Sequence, residues 1–254
     1  MDLGIKGKVA LVTGAGSQIG FGKQIALLLA KEGCDAVAVT DIIDDVKLTA
    51  EDIKKTGKKS IAVKGDITKK DDVQAMVKQV IDEFKKIDIL CNVAGGIASR
   101  VPYDQAKPED WDKDIHLNLI SIMLMCQAVL PYMREKKSGV IVNIGSGSTR
   151  MYGHGTGNAY AISKAGVDNF TKQLAFNEAK NGIRCNCVAP GPAPTNFIPG
   201  PDKQGIISML AKTIPMGRGA TQTDIANATA FFASEMSSYI TGAILHVSGG
   251  SVLD

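Results

Sequence analysis

The sequence lacks a strong excess of charge of either sign, and this excludes several classes of partner. Of its 254 residues, 29 are Lys or Arg and 26 are Asp or Glu, which gives a formal net charge of +3. Proteins that bind nucleic acid or an anionic membrane through a basic surface usually carry a far larger positive charge. We therefore expect neither nucleic acid nor membrane among its partners. The 44% of hydrophobic residues also excludes a disordered chain.

The cysteines lack the pattern of a metal site or of a disulfide framework. There are five of them, an odd number, and all lie in apolar runs. The two nearest in sequence are separated by one residue rather than by the two of a CxxC pair. We therefore predict no metal site, and five reduced core thiols in a reducing compartment: Cys34, Cys91, Cys126, Cys185 and Cys187.

Long uninterrupted apolar stretches are also lacking. Residues 1–8 contain no apolar segment of the kind that a signal peptide has. The longest apolar run, 117–133, is interrupted by Asn118, Gln127 and Pro131, and a membrane span needs about 20 apolar residues. The sequence therefore predicts a buried helix at this place and a cytoplasmic protein.

Short apolar segments alternate with amphipathic segments along the chain. The apolar segments predict seven strands, at 8–13, 36–40, 61–64, 87–91, 139–144, 183–188 and 243–247. The amphipathic ones predict helices at 23–31, 46–57, 71–86, 111–134 and 159–180. This alternation predicts a doubly wound α/β fold of the Rossmann type, with a mostly parallel seven-stranded sheet that helices cover on both faces. Because no linker or repeat divides the chain, we expect a single domain over 1–254.

Glycines are concentrated between the first predicted strand and the first predicted helix. Residues 13–22 read TGAGSQIGFG. Glycine permits a tight turn and a close approach of the backbone to a phosphate, and the following helix N-terminus offers free N–H groups. A glycine cluster alone is weak evidence, but a position between strand and helix favours a dinucleotide site over a plain turn. We predict that the residues contacting the dinucleotide here are Gly14, Ser17, Gly20, Phe21 and Gly22.

An acidic residue at the end of the second predicted strand indicates which dinucleotide binds. Asp41 lies 19 positions after Gly22, close to the spacing of about 20 residues for a carboxylate that accepts hydrogen bonds from the adenosine ribose. A carboxylate there repels a 2′-phosphate, and the neighbouring Thr40 and Ile42 supply no cation. The sequence therefore predicts NAD as the cofactor, with NADP the less favoured choice. The alternative for Asp41 is a solvated loop acid or a helix N-cap.

Tyr160 and Lys164 lie four residues apart at the start of a predicted helix, and so share one helical face. A free phenol has a pKa of about 10, too high for a base near neutral pH, and a nearby cation lowers that pKa. Ser146 follows the fifth strand, at the edge where open α/β sheets bind ligands, and its hydroxyl could hold a carbonyl or alcohol oxygen. The YxxxK pattern alone is short and arises by chance in many helices.

Taken in order, these motifs resemble the short-chain dehydrogenase/reductase family, over nearly the whole chain. The resemblance also includes Asn118 and the segments 66–67, 92–95, 143–146, 190–195, 239–242 and 247–250. It implies a dinucleotide-binding part at about 1–120 and a catalytic and substrate-binding part at about 121–254. It further implies a homo-oligomer, usually a homotetramer.

The resemblance implies an oxidoreductase that moves a hydride between NAD(H) and a secondary alcohol or ketone. Tyr160 would be the general acid/base, Lys164 would lower its pKa and hold the nicotinamide ribose, and Ser146 would bind the reacting oxygen. Asn118 would anchor a water in a proton relay through Lys164; it could equally distort a buried helix, and both can hold. The cofactor contacts that the resemblance adds are Asp66, Ile67, Asn92, Ala94, Gly95, Pro190, Gly191 and Thr195.

The glycine turn departs from the family's TGxxxGxG pattern. Aligned without a gap, Gln18 occupies the position of the middle glycine. With two extra residues in the turn, Gly20 and Gly22 become the second and third glycines, and we prefer this register. Ser148 competes with Ser146 for the catalytic position, and Ser146 fits better because it falls two residues after Ile144.

The substrate and two rival functions stay open. Arg100, Arg150 and His154 could recognise an anionic substrate, although solvent-facing loop charge is the favoured interpretation. A rival enzyme is an NADPH-dependent 3-oxoacyl-[acyl-carrier-protein] reductase, against which Asp41 argues. A rival of another class is a catalytically silent nucleotide-binding protein that regulates or scaffolds a partner.

Overall fold

The computed structural model describes residues 2–151, 158–198 and 200–253, and a single seven-stranded sheet is its central element. The strands are β1 (Val9–Thr13), β2 (Ala36–Asp41), β3 (Lys59–Lys64), β4 (Ile89–Asn92), β5 (Gly139–Ile144), β6 (Ile183–Pro190) and β7 (Ile244–Val247). Their order is β3-β2-β1-β4-β5-β6-β7, and all neighbours are parallel. The chain thus winds outward in opposite directions from β1 and β4, which opens a crevice at their carboxyl ends. The predicted Rossmann-type fold is confirmed.

Helices cover both faces of this sheet. They are α1 (Phe21–Lys31), α2 (Val46–Lys54), α3 (Lys70–Phe84), α4 (Pro108–Ile115), α5 (Ser121–Lys136), α6 (Asn158–Glu178), α7 (Lys203–Ala211) and α8 (Gln222–Ala233). Side chains of a strand alternate between faces. On β1, Ala10 and Val12 accordingly pack with α1, α2 and α8, whereas Leu11 packs with α3, α5 and α6.

The helix predicted at 111–134 is not one regular helix. A π-helical segment, His116–Ile120, separates α4 from α5, and the Ser121 N–H donates to the carbonyl of His116, five residues back. Within this segment Asn118 Nδ2 donates to the Asp114 carbonyl at 2.9 Å. An inserted side-chain bond of this kind interrupts the regular i→i−4 ladder.

Two helices, α7 and α8, have no counterpart among the predicted elements. Helix α8 reads QTDIANATAFFA, in which small residues take most of the buried positions, so large apolar side chains do not mark a helical face. Helix α7 follows the segment 190–202, which contains five prolines. Whether 1–254 is one domain with the two expected parts stays a prediction.

One helical stretch of the described residues, Pro108–Lys136, is long and apolar enough to cross a membrane by length and composition alone. A core helix passes the same test, and in this stretch Met125, Cys126 and Val129 are buried in the layer that covers the sheet. All five cysteines are likewise free and buried, as predicted.

The core under α1 yields a stability prediction. Leu29 is fully buried between α1 and the sheet. Leu29→Ala removes its packing and leaves a cavity, so we expect the free energy of unfolding to fall by about 2–5 kcal/mol in urea titrations. Leu48→Ala is the matched control, because Leu48 on α2 is 53% exposed, and it should change stability by no more than about 0.5 kcal/mol. Equal losses in the two variants would contradict this description of the core.

Candidate active site

The residues that the sequence marks for chemistry meet at the carboxyl edge of the sheet. Ser146 lies two residues after β5, and Tyr160 and Lys164 lie in the first turns of α6. Asn118 lies in the π-helical segment before α5, and Gly95 lies three residues after β4. Four segments distant in sequence thus contribute to one place.

Lys164 is buried, with only 3% of its surface exposed. Its Nζ donates to the Ile144 carbonyl, the last of β5, at 2.7 Å. The same Nζ lies 5.9 Å from the centre of the Tyr160 ring, within the distance at which a cation and an aromatic face attract each other. The ammonium and the phenol therefore do not diverge, as their spacing of one helical turn predicts.

The pKa values of this pair are shifted in a way that the sequence does not predict. Burial raises the pKa of Tyr160 to about 12, Asp114 adds to this increase, and the nearby Ser146 hydroxyl opposes it. Burial lowers the pKa of Lys164 to about 8, against the effects of Cys187 and Asp168. The expected decrease of the Tyr160 pKa is therefore not found here. The physical reason is that desolvation penalises the phenolate, while the ammonium hydrogen-bonds to a backbone carbonyl rather than to the phenol oxygen.

Ser146 rather than Ser148 contacts the phenol. Ser146 lies within reach of the Tyr160 phenol and lowers its pKa, and Ser146 Oγ accepts hydrogen bonds from Ser148 N at 3.1 Å and from Ser148 Oγ at 2.9 Å. Because Ser148 supplies these donors, the Ser146 hydroxyl can direct its own proton at another oxygen. Ser148 is thus a support for Ser146.

Asn118 is fully buried and holds the segment after β4 by both ends of its amide. Its Nδ2 donates to the Gly96 carbonyl at 2.8 Å, and its Oδ1 accepts from Gly96 N at 3.0 Å. A Cβ added to Gly95 would lie 2.7 Å from Asn118 Oδ1 and 3.4 Å from Lys164 Nζ. Asn118 therefore distorts its helix and also lies beside the Lys164 ammonium.

The glycine turn has the shape of a phosphate cradle. Gly14 has a φ of +69°, and a Cβ there would lie 2.6 Å from the Ala94 Cα. A Cβ on Gly22 would overlap the Gly14 carbonyl, so α1 can approach β1 this closely only with glycine. Helix α1 begins at Phe21 with Gly20 as its N-cap. A helix that begins here is what the register with two extra residues predicts, and its free N–H groups suit a pyrophosphate.

Asp41 faces this turn from the end of β2. Its Oδ2 accepts a hydrogen bond from Gly16 N, and its Oδ1 accepts one from Ile42 N, both at 2.7 Å. The nearby Lys64 pairs with Asp44 at 3.1 Å. The Asp41 carboxylate thus lies beside the cradle. Lys64, which is opposite Asp41 in the register of β2 and β3, forms its ion pair with Asp44 instead.

The remaining predicted cofactor contacts divide into two groups. Ala94 N donates to Thr13 Oγ1 at 3.1 Å, which joins the turn after β4 to the end of β1. Asn92 is different, because its side chain is engaged within the protein, and its place beside a cofactor stays a prediction. It is buried, and its Nδ2 donates to Asn143 Oδ1 at 2.9 Å and to Cys126 Sγ at 3.4 Å, so the side chain joins β4 to β5 and α5.

The other predicted positions lie near the same edge. Asp66 Oδ1 accepts from Thr68 N at 2.9 Å, and Ile67 is buried in the layer of α3 and α5. Pro190 ends β6, Gly191 N donates to the Val247 carbonyl at 2.9 Å, and Thr195 is buried in the segment that follows. Contact of these side chains with a cofactor stays a prediction.

Residues of the segment after β6 lie over the site. Phe197 lies over Tyr160, with 5.1 Å between ring centres. Arg100 lies over the outer face of Phe197 and donates to its carbonyl at 3.1 Å. Arg150 is exposed, and His154 lies outside the described residues. Asn196 Nδ2 donates to Ser17 Oγ at 3.0 Å, which links this segment to the glycine turn.

A parallel sheet with a phosphate cradle at its switch point, next to a half-buried serine and a buried tyrosine and lysine, defines a dinucleotide-dependent oxidoreductase. Comparisons with known proteins agree. A family model described as enoyl-(acyl carrier protein) reductase matches residues 14–251. The chain belongs to the short-chain dehydrogenase/reductase family.

Three relatives illustrate the range of this similarity. The 3-oxoacyl-[acyl-carrier-protein] reductase FabG of Staphylococcus epidermidis is 38% identical over 247 residues, which cover 96% of this chain and 98% of that protein. A (2S)-[(R)-hydroxy(phenyl)methyl]succinyl-CoA dehydrogenase subunit of Thauera aromatica is 39% identical over 256 residues, covering 99% of both. A short-chain type dehydrogenase/reductase from Mycobacterium marinum superposes with a TM-score of 0.91 at 29% identity, covering 100% of this chain and 98% of that one.

The cradle yields a binding prediction. Gly22→Ala places a methyl group against the Gly14 carbonyl and forces α1 away from β1. We expect the Kd for the nicotinamide dinucleotide to increase at least about tenfold, or about 1.4 kcal/mol, in fluorescence or calorimetric titrations. Gly57→Ala is the control: Gly57 has a φ of +81° and open space around it, so this variant loses stability without disturbing the cradle. An unchanged Kd in Gly22→Ala would refute the cradle.

Proposed function

We propose that this protein catalyses reversible hydride transfer between NAD(H) and a secondary alcohol or ketone. The observation that carries the proposal is the apposition of Ser146, Tyr160 and Lys164 at the carboxyl edge of the sheet, beside the glycine cradle. When bound, the nicotinamide supplies or accepts the hydride. This chain's own residues orient the substrate and move a proton.

Tyr160 acts as the general acid/base of the proposed reaction. Its pKa of about 12 keeps the phenol protonated at neutral pH, so in the direction of reduction Tyr160 donates its proton to the oxygen of the ketone. Ser146 already lies within reach of the phenol and holds the same substrate oxygen. In the direction of oxidation the phenolate must form, and a positive charge next to it makes this easier.

Lys164 supplies that positive charge. Its pKa of about 8 keeps it mostly charged at neutral pH, and its Nζ lies 5.9 Å from the ring centre of Tyr160. It also holds the nicotinamide ribose in this proposal. Asn118 lies beside it across Gly95 and anchors a water through which Lys164 regains its proton from solvent.

The preference for NAD rests on Asp41. Its carboxylate lies beside Gly16 in the cradle, where it can accept hydrogen bonds from the two ribose hydroxyls and repel a 2′-phosphate. The residues proposed to bind the dinucleotide are those the sequence indicates. By resemblance to its family we also propose a homotetramer, and by its five buried thiols a reducing, cytoplasmic location.

A second function is favoured by the FabG relatives. The similarity to a 3-oxoacyl-[acyl-carrier-protein] reductase extends over 98% of that protein, so reduction of a 3-oxoacyl thioester is the alternative substrate class. Reaction with 3-oxoacyl thioesters by NADPH in preference to NADH would favour this alternative. Tight dinucleotide binding without turnover of any alcohol or ketone would instead favour a catalytically silent protein.

The proposed acid/base role yields a direct test. Tyr160→Phe keeps the ring that packs against Phe197 but removes the proton donor. We expect kcat to fall about 10²–10⁴-fold, the usual contribution of a general acid/base, while the Kd for NAD(H) changes by less than about threefold. Turnover near that of the wild type would exclude Tyr160 as the acid/base. Tyr239→Phe is the control, since the Tyr239 side chain is fully exposed and its loss of a hydroxyl should leave kcat unchanged.

The cofactor preference is tested by the ratio of kcat/KM for NAD to that for NADP. Asp41→Asn keeps an oxygen to accept from Gly16 but removes the charge, so we expect this ratio to fall at least about tenfold. Asp44→Asn is the matched control, because Asp44 is an exposed acid three residues further along that pairs with Lys64 and Lys47. The same decrease in both variants would mean that general surface charge, and not Asp41, sets the preference.

A further inference from the structure

Asp168 is a half-buried carboxylate that the proposed reaction does not use, although it lies on the same helix as Tyr160 and Lys164. It lies on α6 four residues after Lys164, and therefore on the same helical face. From β6 the Cys187 thiol donates to Asp168 Oδ1 at 3.6 Å. The Thr149 hydroxyl lies within reach of this carboxylate and 3.1 Å from the Ser146 carbonyl, and its single proton is donated to one of the two acceptors at a time.

The groups that affect the ionisation of this carboxylate come from four parts of the fold: the turn after β5, β6, β7 and α6 itself. Burial raises the pKa of Asp168, and its neighbours oppose the increase. These neighbours are Thr149 from the turn after β5, Cys187 from β6, His246 from β7, and Lys172 from the next turn of α6. Two hydrogen-bond donors and a lysine thus stabilise a negative charge at this position.

Cys187 does not supply a competing negative charge. Burial raises the pKa of its thiol far above the usual range, and the contact with Asp168 raises it further. The thiol therefore stays neutral near pH 7 and acts as a donor to the carboxylate. Of the two groups that raise the pKa of Lys164, Cys187 and Asp168, only Asp168 carries a charge under these conditions.

Lys164 depends on such a counter-charge because its other contacts are uncharged. Its Nζ donates to the Ile144 carbonyl, faces the Tyr160 ring and lies near the Asn118 amide across Gly95. These groups are dipoles or an aromatic face, and a buried ammonium without a counter-ion tends to lose its proton.

We propose that Asp168 is a positioning residue of this active site, whose carboxylate keeps the Lys164 ammonium charged and, through Thr149, steadies the turn that carries Ser146. The inference rests on the proposed function, since it assigns Lys164 the task of stabilising the Tyr160 phenolate. The role belongs to the charge of Asp168 as well as to its hydrogen bonds, and the two can be separated by experiment.

Asp168→Asn tests the charge, because asparagine keeps the size of the side chain and an oxygen that can accept from Thr149 and Cys187. A lysine stabilised by a nearby carboxylate keeps its proton to a higher pH, so removing the charge lowers the pKa of Lys164. We expect a decrease of about one pH unit or more. The measurement is the pH titration of the Lys164 ¹³Cε resonance in lysine-labelled protein, assigned with Lys164→Ala. In the pH profile of kcat/KM, the apparent pKa of the alkaline limb, which reports Lys164, should decrease by the same amount.

Glu178→Gln is the matched control. Glu178 is also a buried acid of α6, but it pairs with Arg134. This variant should lower the melting temperature and leave the Lys164 titration where it is in the wild type. An unchanged Lys164 titration in Asp168→Asn, or an equal shift in Glu178→Gln, would overturn the proposal.

A measurement on the wild type covers the case in which Asp168→Asn does not fold. The Lys164 resonance should then show a second inflection at the pH at which Asp168 takes up its proton. Absence of that inflection also overturns the proposal. Failure of the proposed function is a different result: Tyr160→Phe would stay active, while the resonance would still report whether Asp168 acts on Lys164.

Discussion

The geometry of the site depends on a buried ammonium that must donate hydrogen bonds to oxygen atoms inside the protein. An uncompensated charge in the interior is costly, and Lys164 meets this requirement by donating to the Ile144 carbonyl at 2.7 Å. That carbonyl is the last of β5, so the bond can form only if the first turns of α6 lie at the carboxyl edge of the sheet. Tyr160, one turn earlier on the same face, is then held at this edge too. The packing of α6 thus decides where the Tyr160 phenol, the proposed proton donor, lies.

The same edge holds the phosphate cradle because of the strand order. Reversal of the winding between β1 and β4 brings the end of β1, with its glycine turn, next to the segment after β4. Thr13 Oγ1 accepts hydrogen bonds from Val93 N and Ala94 N at 3.0 and 3.1 Å, which fixes the distance between them. Asn118 holds the next part of this segment by its amide. The glycine cradle and the Asn118 segment are therefore held together by side-chain hydrogen bonds to the backbone.

Periodicity predicts the parts of this arrangement that are local in sequence. The strands and the helical face shared by Tyr160 and Lys164 depend on neighbours within one or two turns, and both are found as predicted. Helix α8 is not predicted, because its buried face consists of small residues whose packing depends on α1, some two hundred positions earlier. The bond between Asn92 and Asn143 is not predicted for a similar reason, because its two partners come from different strands. Phe197 covers Tyr160 only because the segment after β6 folds back over α6.

The pKa values show why the chemistry is harder to predict than the residues that perform it. The spacing of Tyr160 and Lys164 suggests a phenol made more acidic by an amine, yet burial acts on both groups and favours the neutral form of each. Burial is a property of the whole fold, so no four-residue motif reveals it. The balance between the charged and neutral forms of Lys164 then depends on the charges near its ammonium. Among the described groups that act on Lys164, the negatively charged one is Asp168. Its position four residues further along α6 follows the same spacing as the Tyr160–Lys164 pair, so the helix itself lines up phenol, ammonium and carboxylate, and the carboxylate offsets part of the penalty that burial imposes on the ammonium.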